Sequence, residues 1–150
     1  MNINYFMNEA LNQAKNAFDN QEVPVGGILV DIDTNEIIGK SYNRVNKEKN
    51  AIYHCEIDLI INACKKLSRK YLNNTVMFVT LEPCLMCASA ISEVHIDKLY
   101  FGAYDEKNGG IEKNKLFLKK KHTFKTEIYG GIMEKDCKSL LEKFFIKLRK

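Results

Sequence analysis

No apolar run in this chain approaches the roughly 20 residues that a membrane-spanning helix requires, so a soluble protein is the expectation. The start also lacks a basic stretch followed by an apolar one. Met1 to Asn20 mixes acids, amides and a lysine among its apolar residues, so no secretory leader is expected and a cytoplasmic location follows. Neither an internal repeat nor a low-complexity linker divides the 150 residues. A chain of that length builds one workable core, so a single domain over 1–150 is expected. An even set of cysteines is missing too: five cannot all pair. In a reducing compartment Cys-x-x-Cys is more often a metal or redox site than part of a disulfide framework.

What is present is unevenly distributed. The net charge is +4, yet residues 113–150 hold 12 Lys/Arg against 4 Asp/Glu, which leaves the first 112 residues net acidic. Clustered cations suit a polyanion, because binding releases counterions from phosphates, although a basic run is by itself more often a solvated face. Apolar spacing predicts a helix through Phe6, Ala10, Ala14, Ala17 and Phe18, ending near Asn20. A hairpin follows over Val25–Ile32 and Glu36–Tyr42, with its turn at Asp33-Thr34-Asn35. After a polar loop, Glu56 to Leu67 reads as a helix with Ile57, Ile60, Ile61, Cys64 and Leu67 on one stripe. Val76–Thr80 reads as a buried strand, Pro83 as the start of a helix through Ile91, and Lys98–Ala103 as another strand. Residues 104–125 form a Gly- and Lys-rich connection with at most one helical turn. A weak strand near Thr126–Tyr129 precedes a closing helix over Glu134–Leu148, whose apolar side carries Cys137, Leu140, Leu141, Phe144, Phe145 and Leu148. Alternating strands and helices predict a layered α/β domain.

Two short segments concentrate the chemistry: His54-Cys55-Glu56 and Pro83-Cys84-Leu85-Met86-Cys87. Cys84 and Cys87, three apart at a helix start, share a face, and the positive end of the helix favours the thiolates that bind zinc. His54 supplies a third ligand. Side chains two apart in a helix do not face each other, so His54 and Glu56 can address one metal only if they sit at a helix terminus. Three protein ligands leave a tetrahedral ion one open position, the mark of a catalytic zinc, and Glu56 beside it is placed to move protons. A structural four-ligand site would need Cys55, Cys64, Cys137, His95 or His122, none of which forms a second close pair. Cys64 and Cys137 fall on apolar stripes, Cys55 should point away from His54 if both are helical, and His95 and His122 read as boundary or surface residues.

His-x-Glu with Pro-Cys-x-x-Cys is the signature of zinc deaminases that act on bases. Glu22-Val23-Pro24-Val25-Gly26, Tyr42-Asn43-Arg44, Thr80-Leu81-Glu82-Pro83-Cys84, Phe101-Gly102-Ala103-Tyr104-Asp105 and Phe144-Phe145 extend the likeness over nearly the whole chain. In order and spacing the sequence resembles the bacterial tRNA adenosine deaminases. The resemblance implies a cytidine-deaminase-like three-layer α/β/α fold with a central mixed five-stranded sheet, and a homodimer. It also implies one Zn²⁺ per chain and, as substrate, the wobble adenosine of a tRNA anticodon, that of arginine tRNA. Carried over by position, His54, Cys84 and Cys87 resemble the zinc ligands and Glu56 the proton shuttle. Asn43 resembles a contact to the flipped base, its plainer reading being a turn residue. Val25 resembles a wall of the base pocket, otherwise a core valine, and Asp105 a contact to the nucleotide backbone, otherwise a surface acid. The terminal helix would offer Lys147, Arg149 and Lys150 to phosphates.

Cys55 stands where alanine is usual, Tyr53 where a small residue is common, and Tyr104 where arginine is frequent; the first two are expected to crowd the metal. The Lys-rich stretch 111–121 departs from the family's small-residue loop. Two other readings compete with the RNA-editing enzyme. One is a deaminase of a free base, nucleoside or nucleotide, of cytosine or guanine type, which has no need of a basic terminal helix. The other is a noncatalytic zinc-stabilised RNA-binding protein, which has no use for Glu56.

Overall fold

A computed structural model of the chain describes residues 1–112 and 124–149. In chain order its elements are α1 (Ile3–Asp19), β1 (Gly26–Asp31), β2 (Ile37–Tyr42), α2 (Cys55–Leu67), β3 (Thr75–Leu81), α3 (Leu85–Glu93), β4 (Lys98–Ala103), β5 (Glu127–Tyr129) and α4 (Glu134–Leu148). The strands form one five-stranded sheet in the order β2-β1-β3-β4-β5. β1 runs antiparallel to both β2 and β3, whereas β3–β4 and β4–β5 are parallel, so the sheet is mixed as expected.

Successive strand residues point to opposite faces, and this chain has apolar side chains on both. Ile28, Val30, Val76 and Phe78 pack against Phe6, Met7, Ala10 and Ala14 of α1, with Cys137 of α4 beyond them. Leu29, Met77, Val79, Leu99 and Phe101 pack on the other face against Leu59 and Ala63 of α2 and Ala88 and Ile91 of α3. A sheet covered on both faces is the physical reason β1 and β3 read as continuous apolar runs instead of alternating ones. The three layers of the expected α/β/α architecture follow from it. At Gly26 a Cβ would run into the backbone of Ala14 and Ala10, so glycine is what lets α1 lie directly on β1.

Three local expectations need correcting. The buried stripe of α2 runs through Cys55, Leu59, Ile60 and Ala63, while Ile61 is 49% exposed and Ile57, Cys64 and Leu67 are half-buried. The helix carries two apolar stripes, and the sheet takes the one that begins at Cys55. Along α4, Cys137 and Phe144 are buried and Leu140 and Leu141 half-buried, but Phe145 and Leu148 are exposed. Residues 137, 140, 141 and 144 make one narrow contact line; Phe145 falls off it, and Leu148 lies in the last turn. Pro83 precedes α3 rather than opening it, since the helix begins at Leu85 with Cys84 as its cap. Residues 113–123, with most of the Lys-rich stretch and His122, and Lys150 lie outside the described residues.

A candidate metal centre at the floor of a cavity

Helix α2 has His54 as its N-cap, in an extended conformation (φ −74°, ψ 151°) and with no capping bond from its own ring. The first free N–H of the helix, that of Cys55, donates instead to Asn43 Oδ1 at 3.1 Å. Capping by a residue from another segment leaves the imidazole free to face elsewhere. It also resolves the spacing problem, since His54 stands just outside the helix and Glu56 just inside it. Cys84 likewise caps α3 from an extended conformation with its side chain uncommitted to the helix, and Cys87 sits in the first turn.

These two helix starts converge. Nδ1 of His54 lies 3.7 Å from Cys84 Sγ and 3.5 Å from Cys87 Sγ. Among the described residues they form the one group able to hold a metal ion, their donor atoms all within 4.8 Å of one another. Tetrahedral zinc with its ordinary bond lengths separates nitrogen and sulfur ligands by about 3.6 Å, so the donor set and its spacing fit that ion. Cys64 is half-buried and Cys137 buried, neither in the group. His95 is stacked between Tyr71 at 4.3 Å and Phe124 at 4.6 Å.

Proton sharing dominates the electrostatics. A hydrogen bond from the Cys87 thiol, helped by His54, brings Cys84 down to about 4 despite partial burial. Cys87 correspondingly holds its proton more tightly, through that same bond and through burial. The bond to Cys84 raises His54 above the ordinary imidazole range. The cluster without metal is therefore a thiolate held by neighbouring protons, and a bound cation takes over the work of those protons.

Glu56 is 4% exposed, and burial lifts its carboxyl above the usual range, opposed in part by hydrogen bonding. One of those bonds comes from the Cys55 thiol, which donates to Glu56 Oε1 at 3.2 Å. Burial raises the Cys55 thiol well above its ordinary value, so it is a neutral donor. Glu56 lines a cavity of about 610 Å³ whose floor includes His54 and Cys84.

The cavity's walls include Val25, Asn43 and Asp105, and sheet topology explains their convergence. Because β1 is antiparallel to its neighbours, its start lies beside the ends of β2 and β3; β4, parallel to β3, ends there too. Val25 precedes β1, Asn43 follows β2 and Asp105 follows β4. Ligand sites commonly lie at such strand ends in α/β sheets. The backbone N–H of Asn43 donates to Val25 O at 3.0 Å, carrying the β1–β2 pairing one step further, while its side chain caps α2 at the cavity wall. Val25 is core as well, at 5% exposure. Asp105 Oδ1 accepts the N–H groups of Lys107 and Asn108 at 3.1 and 3.0 Å, so part of its carboxylate holds its own loop.

Two buried acids that the sequence reading gave no role organise the rim. Glu22 accepts the N–H groups of Asn46 and Lys47, fixing the loop after β2. Glu82 accepts those of Asp105, Ile111 and Glu112, fixing the loop after β4. The signal that could have found them is an acid inside a hydrophobic segment, which folding tolerates only with several donors in reach. Neither Cys55 nor Tyr53, the two departures expected to crowd the metal, lines the cavity. The Tyr53 hydroxyl turns to Asp58 Oδ1 at 3.1 Å, and Cys55 faces the core beside Glu56. Tyr104, 43% exposed, packs edge-on against Phe101. On α4, Lys147 lies over the Phe18 ring, and no residue of that helix reaches the cavity.

The family model described as MafB19-like deaminase matches residues 1–149. The chain is 45% identical over 144 residues to a tRNA-specific adenosine deaminase of Rickettsia bellii, covering 95% of this chain and 99% of the relative. It is 38% identical over 147 residues to that of Bacillus subtilis, covering 97% and 89%. A solved structure from work on A-to-I editing by tRNA:A34 deaminases at the wobble position superposes with a TM-score of 0.85 at 36% identity, covering 91% of this chain and 98% of that one. A guanine deaminase of Nitrosomonas europaea shares the fold at a TM-score of 0.82 and 19% identity. With a His/Cys/Cys cluster and an adjacent buried glutamate at the floor of its cavity, and with such relatives along nearly its full length, the chain belongs to the MafB19-like deaminase family and is a relative of the tRNA-specific adenosine deaminases.

Proposed function

We propose that this protein, as a single catalytic domain, hydrolyses the amino group of the wobble adenosine in the anticodon of arginine tRNA, yielding inosine and ammonia. The observation that carries the reading is the group His54, Cys84 and Cys87 with Glu56 beside it, where His54, Cys84 and Glu56 line a cavity of the size that takes small ligands. Its near-full-length relatives are named as tRNA-specific adenosine deaminases. Zinc, held by those three side chains, supplies the Lewis acidity that makes water a nucleophile near neutral pH. Glu56 takes the proton released as water attacks C6 and delivers it to the departing nitrogen, so one carboxylate serves as base and then acid.

The walls then position the base. Asn43, its Oδ1 committed to Cys55 N–H, keeps its amide N–H group as a donor toward the purine. Val25 gives the ring an apolar surface. Asp105, with one oxygen tied to its loop, offers the other to a ribose hydroxyl, since a carboxylate accepts from hydroxyls and repels phosphates. Lys147 of α4 and Arg149 just after it, with Lys150, attract the RNA backbone, and by family likeness the active species is a homodimer. No helix among the described residues is long and apolar enough to cross a membrane, and a tRNA substrate fits a cytoplasmic site of action.

Nucleoside analysis of arginine tRNA before and after exposure to the protein should show inosine appearing at the wobble position. Inactivity there together with turnover of free cytidine or guanine would replace this substrate with a free base or nucleoside. Glu56→Ala should abolish turnover while zinc content and thermal unfolding stay unchanged; retained turnover removes the proton-shuttle role.

A further inference from the structure

We infer that Cys55 is a positioning residue for the reaction, its thiol fixing the rotamer of Glu56, whose carboxylate has no other side-chain hydrogen-bond partner among the described residues. The inference rests on the reading of Glu56 as the proton carrier. Cys55 is fully buried in the cluster between α2 and the sheet, where its neighbours include Leu59 and Val79. β1 passes it at Gly27, where a Cβ would only just touch the sulfur, at 3.5 Å, so the glycine leaves the thiol its room. From that place Sγ donates to Glu56 Oε1 at 3.2 Å. The same residue's N–H donates to Asn43 Oδ1 at 3.1 Å. Cys55 thus ties together the cavity's carboxylate and its amide, and its two bonds act on different things. The backbone bond survives any substitution; the thiol bond depends on the side chain.

A carboxylate that must receive a proton on one side of the reacting carbon and release it on another gains from a narrow distribution of its terminal torsion. A thiol is a weak donor in absolute terms. Here it meets an acceptor withdrawn from water, where hydrogen bonds strengthen and an unmet group costs more. Its loss should therefore be felt in the chemical step and not in binding.

Serine and alanine at position 55 differ by one hydroxyl in a packed core, so Cys55→Ser and Cys55→Ala form a matched pair. With a wobble-adenosine anticodon stem-loop as substrate, Cys55→Ala should lose roughly three- to tenfold in kcat with KM, zinc content and thermal midpoint close to those of Cys55→Ser, whose kcat stays near the starting protein's. Cys55→Val, which fills the space without a donor, should group with alanine, and it serves if alanine leaves the core too loose to fold. Equal kcat for the serine and alanine forms, or a fall in alanine that tracks lost zinc, overturns the positioning role. Glu56→Gln is measured alongside: inactivity there keeps the proton-carrier reading whatever Cys55 does, and activity there removes that reading on its own.

Discussion

Cys84 and Cys87 have the same covalent structure and sit one helical turn apart, yet the protein gives them opposite acidities. With Cys84 brought down to about 4 by its bonds to Cys87 and His54, the thiolate form prevails through the neutral range and the proton returns only in acid. In metal-stripped protein, alkylation by iodoacetamide followed by peptide mass spectrometry should mark Cys84 first, at a rate that barely falls between pH 8 and pH 6. Ordinary thiols slow about tenfold per unit over that range, and Cys55, buried and raised, should stay unmarked. Added zinc should protect Cys84; labelling indifferent to the metal counts against the proposed site. At this scale the sequence was most legible where residue types are chemically scarce. His54, Glu56, Cys84 and Cys87 are costly to place together for any purpose but metal chemistry, and the structure assembles the three donors with the acid beside them. Glu22 and Glu82 were harder to read because their partners are backbone N–H groups 23 to 30 positions away, and a main-chain amide has no residue identity for a reader to notice.

Among the described residues the helices were legible from apolar spacing of three to four, and β1 and β3 from short, continuous apolar runs. Which stripe of α2 meets the sheet was not. That helix has two candidates, and the choice depends on where β1 and β2 approach it. Gly26 is the sharpest constraint at this level, because the backbone of α1 occupies the space of any side chain there. Gly26→Ala should cost more than about 3 kcal/mol or prevent folding, as read by urea denaturation; a loss below 1 kcal/mol would mean that α1 can shift on the sheet at little cost. Glu82 acts on loops in the same way. Glu82→Ala leaves the N–H groups of Asp105, Ile111 and Glu112 without their acceptor and should destabilise by at least about 2 kcal/mol, with KM for RNA rising more than kcat falls. An unchanged KM would show that the rim is set by other contacts.

For the molecule as a whole, the concentration of positive charge toward the C-terminal end sets the expected response to salt. Raising KCl from 50 to 200 mM should increase KM for tRNA by an order of magnitude or more while kcat stays level, because counterion release favours binding and not bond breaking. A KM insensitive to salt would assign those lysines to solvation alone, the plainer reading of their run. A layered α/β domain was legible from the alternation of elements and its three-layer plan from the family resemblance, whereas association between copies leaves no periodic trace in one chain. Reactivity and selection are housed in separate parts of this architecture. Two helix starts hold the donors, and segments at the ends of three strands hold the cavity-wall groups proposed to meet a substrate. A change in one of those flanking segments can alter which nucleobase is admitted while hydrolysis continues, so new preferences are open to evolution through intermediates that never lose activity.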